Sequence, residues 1–574
     1  MSVRLRLGTS NAALDAAFDP LVARVLAHRG INDPAQVDYQ LKKLLPYHQL
    51  KGIDTAVTLL VQALEASANI LIVGDFDCDG ATSTSLALLA LGAMGAKNVS
   101  YLVPNRFDFG YGLSTALVDY AKAIEPDLIV TVDNGIASHE GVARAHELGI
   151  KVVVTDHHLA AETLPDADAI VNPNQPGCEF PFKSTAGVGV IFYVMSALRR
   201  QLQTQGWFDQ QGIKAPNMAQ YLDLVALGTV ADLVPMEHNN RILVAQGVAR
   251  IRAGKARPGI LALLAVAKRQ YYNLQATDLG FSIGPRLNAA GRLEDMSLGI
   301  ECLLSDDEHI AAQLAQELDE LNAQRRHIEA DMQQQAGNIL TRLESSQDQE
   351  LPKCVCLFHP DWHQGVVGIV ASRIKEKWHR PALVFAMGDA DTLKGSCRSI
   401  AGFHLRDALA AVDAHNPGLI IKFGGHAMAA GLSIKADNFE AFKEALDAYA
   451  QEHLPDSLLA KEWRSDGQLS AQELQLNQAF LLQQAGPWGQ GFEEPTFHGR
   501  FVLVQQRIVG EKHLKLVLAD LQTGELVDAI YFNIDLAVWP STCEQADLVY
   551  RLDINEFRGR QSLQLMVQHM TPVA

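Results

Sequence analysis

A chain of 574 residues, 48% of them apolar, is long enough for several domains with sizeable cores. Its 66 acidic residues against 48 basic ones leave a formal charge of −18, which excludes a general polyanion-coating protein and confines any nucleic-acid contact to local basic surface. Seven cysteines with no disulfide or zinc spacing, no apolar signal core and no run near the ~18 residues that span a bilayer predict a reducing, cytoplasmic setting away from membranes.

Residues 1 to about 50 read as a helical extension without a legible role. The run NILIV (Asn69–Val73) is continuously apolar, as a strand buried on both faces of a parallel sheet should be. GDFDCDG follows at residues 74–80, so Asp75, Asp77 and Asp79 fall where the strand gives way to a loop, ahead of a helix in ATSTSLALLALGAMGA. Ligands bind at the carboxyl ends of strands in open α/β sheets. Three crowded carboxylates there repel one another, and the hard cations Mg²⁺ and Mn²⁺ are the partners that suit oxygen ligands; a solvated acidic turn is the alternative. Alternation in an extended segment points Cys78 away from their face, as a packing residue.

Two further strands end in acids. PDLIVTVDNG closes on Asp133, and KVVVTDHH closes on Asp156, His157 and His158. Amphipathic stretches at 114–124 and 138–148 separate them, so the strands are expected to be parallel, with right-handed crossovers and all acidic tips on one edge. Asp232 follows the apolar run of ALGTVADLVP and is expected to join them. Carboxylates plus one imidazole, without a cysteine pair, suit two Mn²⁺ or Mg²⁺ ions bridged by an aspartate better than zinc.

Between 239 and 277 there is no Asp or Glu, while Arg241, Arg250, Arg252, Lys255, Arg257, Lys268 and Arg269 all occur. This reads as a phosphate-tracking face, or else as a helix pair with a solvated basic side. GPRLNAAGR extends it with Arg286 and Arg292 among small residues. Residues 306–343 are strongly helical, with Ile310, Leu314, Leu318, Leu321, Ile328 and Met332 on one side, giving roughly 55 Å of helix at 1.5 Å per residue. That is enough to connect two domains; a coiled-coil dimer is the competing reading.

From Lys353 a second α/β unit begins, with CVCLFH and ALVFAM as buried strands and WHQGVVGIVASRIKEK as a Gly-rich helix start able to meet phosphate. From about 465 the pattern alternates, and five strands in about 100 residues suit a small barrel whose groove Lys512, His513, Lys515, Arg558 and Arg560 could line.

The order DxD, single Asp, DHH, later Asp resembles the DHH phosphoesterase superfamily. GDFDCDGATST, YLVPNRFDFGYGLS, TVDNGI, TDHH, GVGVIFY, ALGTVADLVP, GPRLNAAGR, HPDWHQGVVGIVASR, KFGGHAMAAG and DINEFRGR resemble the bacterial RecJ exonucleases in particular. The resemblance implies an α/β fold: a parallel-sheet DHH domain (51–305) joined by a long helix (306–350) to a smaller α/β DHHA1 domain (351–460), followed by a β-barrel OB-fold (461–574). It implies 5′-to-3′ hydrolysis of single-stranded DNA in recombination and repair. Asp77 and Asp133 would hold one metal with Asp75 nearby; Asp79, Asp133, His157 and Asp232 would hold the second. His158 would face the scissile phosphate and Asp156 would orient the histidines. Arg286, Asn288 and Arg292, with Gly424, Gly425 and His426 of a DHHA1 loop, would contact nucleic acid. Arg106, Ser372 and Arg373 would cap a terminal 5′-phosphate, the alternative being that Arg373 is a surface residue paired with Glu376. A single-strand-binding protein and a helicase would be partners of a monomer.

Overall fold

The computed structural model describes residues 2–105, 112–345, 351–388, 391–510, 512–534, 539 and 542–573. Two compact units divide the chain: residues 3–319 with 463–574, and residues 320–462. The N-terminal extension is not purely helical. It opens with a strand, β1 (Ser2–Leu5), before the Ala12–Ala17 and Pro20–His28 helices.

The metal-bearing part of the first unit is a five-stranded sheet of β2 (Asn69–Val73), β3 (Asn98–Leu102), β4 (Leu128–Val132), β5 (Lys151–Thr155) and β6 (Ala169–Val171). Their order is β3-β2-β4-β5-β6, and every neighbouring pair is parallel. The β-branched runs ILIV, LIVTV and VVVT are buried on both faces, which is why these segments show no alternation. The chain leaves β2 toward β3 and returns on the other side of β2 as β4. The reversal opens a crevice at the carboxyl ends of β2 and β4, the usual ligand position in such sheets. Asp75 and Asp133 follow those two strands.

Residues 320–462 form the second unit. Its sheet of β7 (Val355–Phe358), β8 (Ala382–Met387), β9 (Thr392–Arg398), β10 (Lys422–Gly425) and β11 (Ala429–Lys435) has the order β10-β11-β9-β8-β7 and is mixed. The Val367–Trp378 helix packs on one face, and the 38-residue Glu308–Ser345 helix adds Met332, Ala336 and Leu340 to that core. Its buried stripe differs from the expected one. Ala311 and Ala315 are buried while Ile310 is half exposed, so small residues take the buried positions at the start of the helix. KFGGHAMAAG is a β-hairpin of β10 and β11 rather than a loop.

The C-terminal barrel closes as β13 (Phe497–Val509), β14 (His513–Asp520), β15 (Leu526–Tyr531), β17 (Arg560–Val573) and β16 (Gln545–Phe557), after β12 (Glu462–Ser465), which pairs with β1. β15 and β17 are parallel and all other neighbours antiparallel, the five-stranded Greek-key arrangement of an OB-fold. Leu514, Leu516 and Leu518 point inward at alternate positions.

The N-terminal extension is tied to the segment before this barrel. Arg29 donates from both terminal nitrogens to the buried Asp466, at 2.5 and 2.9 Å, and His28 Nδ1 lies 3.0 Å from the same carboxylate. Thr496 N–H adds a fourth bond at 2.9 Å.

Candidate metal centre

The acidic loop is positioned by helix capping. The helix begins at Cys78, not after Gly80, because Asp77 is its N-cap and accepts the Gly80 N–H at 3.0 Å. Asp79 thus lies in the first helical turn, where the peptide dipoles favour a carboxylate. Extended-chain alternation does not apply, and Cys78 is buried for helical reasons, with burial pushing its thiol up. Asp79 is also held by a second helix. The Gly187 and Val188 N–H groups at the start of the Gly187–Thr204 helix donate to its two oxygens at 2.7 and 2.9 Å. A Cβ at Gly187 would sit 2.6 Å from Asp133 Oδ1. The GVGVIFY motif therefore acts on the acidic cluster, a role its sequence did not disclose.

Asp133 adopts a left-handed backbone, φ +63°, which aims its carboxylate back over the sheet edge. Asn134 donates to the Val73 and Val132 carbonyls at 3.0 and 2.9 Å and so ties the ends of β2 and β4 together. Asp156 is buried and accepts from the N–H groups of Ile136, His157 and His158, and pairs with His158 Nδ1 at 2.8 Å. Its oxygens are thus engaged by the backbone and side chain of the histidine pair and by Ile136. Asn172 and Asn174 hold the His158 and His157 carbonyls at 2.9 and 2.6 Å. VNPNQPG carried that signal as asparagines following a short strand.

His157 Nε2 lies 3.1 Å from Asp133, 3.4 Å from Asp232 and 3.9 Å from Asp79. Three overlapping groups bring ligand atoms within 4.8 Å of one another: Asp75, Asp77 and Asp133; Asp79, His157 and Asp232; Asp133, His157 and His158. Burial, then repulsion from Asp77, raises Asp79 to about 7. Burial and the surrounding carboxylates, Asp79 first, hold Asp133 and Asp232 well above the ordinary range. Burial and the charge of His158 lower His157 to about 4. Burial also opposes charge on His158, but its bond to Asp156 and the nearby carboxylates win, raising it to about 9. The buried His157 Nε2 and Asp232 Oδ2 have no hydrogen-bonding partner. A neutral imidazole and carboxylates converging beside the charged His158 fit Mn²⁺ or Mg²⁺ in donor chemistry and spacing.

Arg286, Asn288 and Arg292 share the Gly284–Leu293 helix. Arg286 is mostly buried, donating to the Ser282 carbonyl at 2.5 Å and pairing with Asp319 at 2.7 Å; Arg292 is half-buried. Asn288 Oδ1 accepts the Cys78 N–H at 2.7 Å. The acid-free segment is in part internal bracing. Arg241 is buried, donates to the Met236 and Gln36 carbonyls and lies 4.2 Å from the Phe492 ring centroid. Arg252 and Arg257 bind carbonyls at helix and turn ends. Lys255, Lys268 and Arg269 remain on the surface. Arg241 and Arg257 are thus withdrawn from a phosphate-tracking face, because their guanidiniums turn inward to satisfy backbone acceptors, while Arg252 is exposed like the two lysines and Arg269.

In the second unit, Gly424, Gly425 and His426 lie at the β10–β11 hairpin, with His426 exposed. Ser372 Oγ donates to the Gly368 carbonyl at 3.2 Å. Arg373 pairs with Glu376 at 3.5 Å, as the alternative reading had it, and more closely with Glu329 at 3.0 Å. Arg106 lies outside the described residues.

Family models match along the chain: the DHH family N-terminal domain at residues 69–229, the DHHA1 domain at 351–452 and the RecJ OB domain at 465–569. The single-stranded-DNA-specific exonuclease RecJ of Salmonella typhimurium is 54% identical over 100% of this chain and 99% of its own length. That of Escherichia coli is 53% identical over 100% and 99%. Among solved structures, Thermus thermophilus RecJ in complex with Mn²⁺ superposes with a TM-score of 0.80 at 31% identity, covering 100% of this chain and 80% of that one. The same protein is also known with Mg²⁺. With full-length relatives above half identity and its three domains in the family's order, the chain belongs to the RecJ family of DHH phosphoesterases.

Proposed function

We propose that this protein is a metal-dependent 5′-to-3′ exonuclease of single-stranded DNA that acts in recombination and repair. The observation that carries the reading is the convergence of Asp75, Asp77, Asp79, Asp133, His157 and Asp232 at the switch point of the sheet, in a chain so close to single-strand-specific exonucleases. When bound, two divalent ions supply Lewis acidity and a water acidic enough to attack phosphorus at neutral pH. Asp133 stands in two of the three ligand groups, and its carboxylate would be the one shared by the ions. Gly187 and Val188 hold Asp79 in place, and Asn134 keeps the two strand ends at a fixed separation. His158, pinned through Nδ1 by Asp156, keeps its proton at neutral pH and offers an N–H to a phosphoryl oxygen as charge builds.

Arg373, Ser372 and Arg106 serve the 5′-phosphate in this reading. The guanidinium of Arg373 is more than half exposed beside its two glutamates, so a phosphate dianion can compete for it. The barrel serves the strand beyond the cut. At the β16–β17 turn Phe557 is 65% exposed, with the Arg558 guanidinium 5.2 Å from its ring centroid, a pair suited to base stacking and phosphate contact. A single-strand-binding protein and a helicase are the partners the substrate implies, and the cytoplasm is the compartment; no described helix is long and apolar enough to cross a membrane.

Digestion of 5′- and 3′-labelled single-stranded and duplex DNA with Mg²⁺, Mn²⁺ or EDTA tests the reading. Release of the 5′ label from single strands first, abolished by EDTA, is expected; release from the 3′ end or from duplex at equal rate would overturn it. Arg373→Ala is expected to erase the advantage of a 5′-phosphate over a 5′-hydroxyl, and retention of that advantage would remove Arg373 from the end pocket.

A further inference from the structure

The Gly284–Leu293 helix, GPRLNAAGRL, turns two of its residues onto the acidic loop. Asn288 Oδ1 accepts the N–H of Cys78, the residue between Asp77 and Asp79, at 2.7 Å. Gly291, three residues on and so on the same face, backs against the Phe76 carbonyl so closely that a Cβ would lie 1.8 Å from that oxygen. The helix is itself anchored at its first turn, through Arg286 to the Ser282 carbonyl and to Asp319.

The geometry has a reason. Cys78 is the first residue of its helix, and its N–H has no partner within the helix. The N-cap Asp77 spends its oxygen on Gly80, one turn further. The carbonyl of the Asp77–Cys78 peptide accepts the Ala81 N–H at 2.9 Å as part of the helix, and its N–H is met from outside the helix by Asn288 at 2.7 Å. Around it stand carboxylates that repel one another, and the two bonds together fix the peptide plane between them. Asn288 is therefore placed where one acceptor sets the directions of both Asp77 and Asp79, which belong to different ligand groups.

We propose that Asn288 is a positioning residue for the hydrolytic centre, holding the peptide between Asp77 and Asp79 so that both carboxylates reach their ions, rather than a contact to DNA. The proposal rests on the two-ion reading above. It separates from a DNA role by chemistry: positioning uses the side-chain oxygen as acceptor, whereas a phosphate contact would use the amide nitrogen as donor.

The test uses the full-length protein, Mn²⁺ titrated calorimetrically without DNA, and steady-state hydrolysis of a 5′-phosphorylated oligonucleotide. Asn288→Ala is expected to weaken Mn²⁺ binding and lower kcat by about 10- to 100-fold, the range for residues that orient metal ligands, with KM changed by no more than about twofold. Asn288→Asp keeps the oxygen and loses the donor, and is expected to recover most of both losses. A raised KM with kcat and Mn²⁺ affinity at parent values would overturn the proposal, as would an Asn288→Asp variant no better than Asn288→Ala. Should Asn288→Ala not fold, Asn288→Asp carries the same test: a parent-like Mn²⁺ affinity and kcat support positioning, and a loss of either overturns it. Asp133→Ala, measured alongside, keeps the two questions apart. If it too retains Mn²⁺ affinity, the two-ion reading falls; if it alone loses it, only the role of Asn288 falls.

Discussion

Two clusters of buried aspartate in this molecule behave in opposite ways. At the ends of β2 and β4, Asp79, Asp133 and Asp232 sit among other carboxylates and one imidazole held neutral, and all three are pushed above the ordinary carboxylate range. Before the barrel, Asp466 is at least as enclosed, yet burial there loses to the bonds from Arg29 and His28, and its carboxyl falls to about 2. Burial is common to both, so the difference lies in who supplies the positive charge. Where the chain brings its own guanidinium, the carboxylate is a structural tie. Where carboxylates outnumber the charged imidazole of His158 beside them, the missing charge must come from solution, and the site suits cations.

Removing the shared carboxylate should break the first cluster most severely. Asp133→Ala is expected to abolish hydrolysis, by about 10³-fold or more on the scale of lost metal catalysis. The apoprotein is expected to stay folded and melt at or above the parent temperature, because the deletion relieves repulsion and desolvation at once. Activity within tenfold of the parent, at unchanged metal content, would sink the assignment. The second cluster should fail in the opposite sense. Asp466→Ala leaves Arg29, with 1% of its side chain exposed, with only the half-exposed Glu493 at 4.0 Å as a carboxylate neighbour among the described residues, and is expected to cost about 3 kcal/mol of stability in denaturant unfolding. Turnover per folded molecule is expected to be unchanged in the cold. A stability loss below about 1 kcal/mol, the range of an exposed ion pair, would show that Asp466 is no tie.

How much of this was legible in the sequence follows the range of the interactions. Apolar runs ending in Asp75, Asp133 and Asp156 disclosed strands, parallel order and a common edge, because each signal is local and the sheet merely repeats it. The alternating C-terminal fifth disclosed a five-stranded barrel for the same reason. The helix start at Cys78 was misplaced because an N-cap aspartate and a metal-binding aspartate look identical in sequence, and here Asp77 is placed to be both. The Asp466 tie was illegible, since its partner Arg29 lies 437 residues away. Composition was only half informative at 239–277: Arg252, Lys255, Lys268 and Arg269 are exposed, whereas Arg241 and Arg257 are consumed by backbone carbonyls within the fold, which absence of acids alone does not disclose.

The comparison makes its finest prediction in the pH dependence of metal stabilisation. Asp79 titrates near 7 in the folded protein without metal, above its unfolded value of 3.8. Its contribution to apoprotein stability is therefore fully present below about pH 4 and is lost as pH rises through about 7. Mn²⁺ must displace that proton at low pH and finds the carboxylate ready above it. His157, neutral down to about 4, adds no proton to the exchange above pH 5. Stabilisation by saturating Mn²⁺ should thus grow from pH 5.5 to 7.0, by about 2 kcal/mol for one displaced proton. Asp466 has the opposite sign: its stability is present above about 4, is lost only as pH falls toward 2, and so contributes nothing to this slope. Differential melting with and without Mn²⁺ across that range measures the effect. A stabilisation that is flat with pH would mean that the carboxylates at the sheet edge are already ionised without metal, and the contrast between the two clusters would collapse.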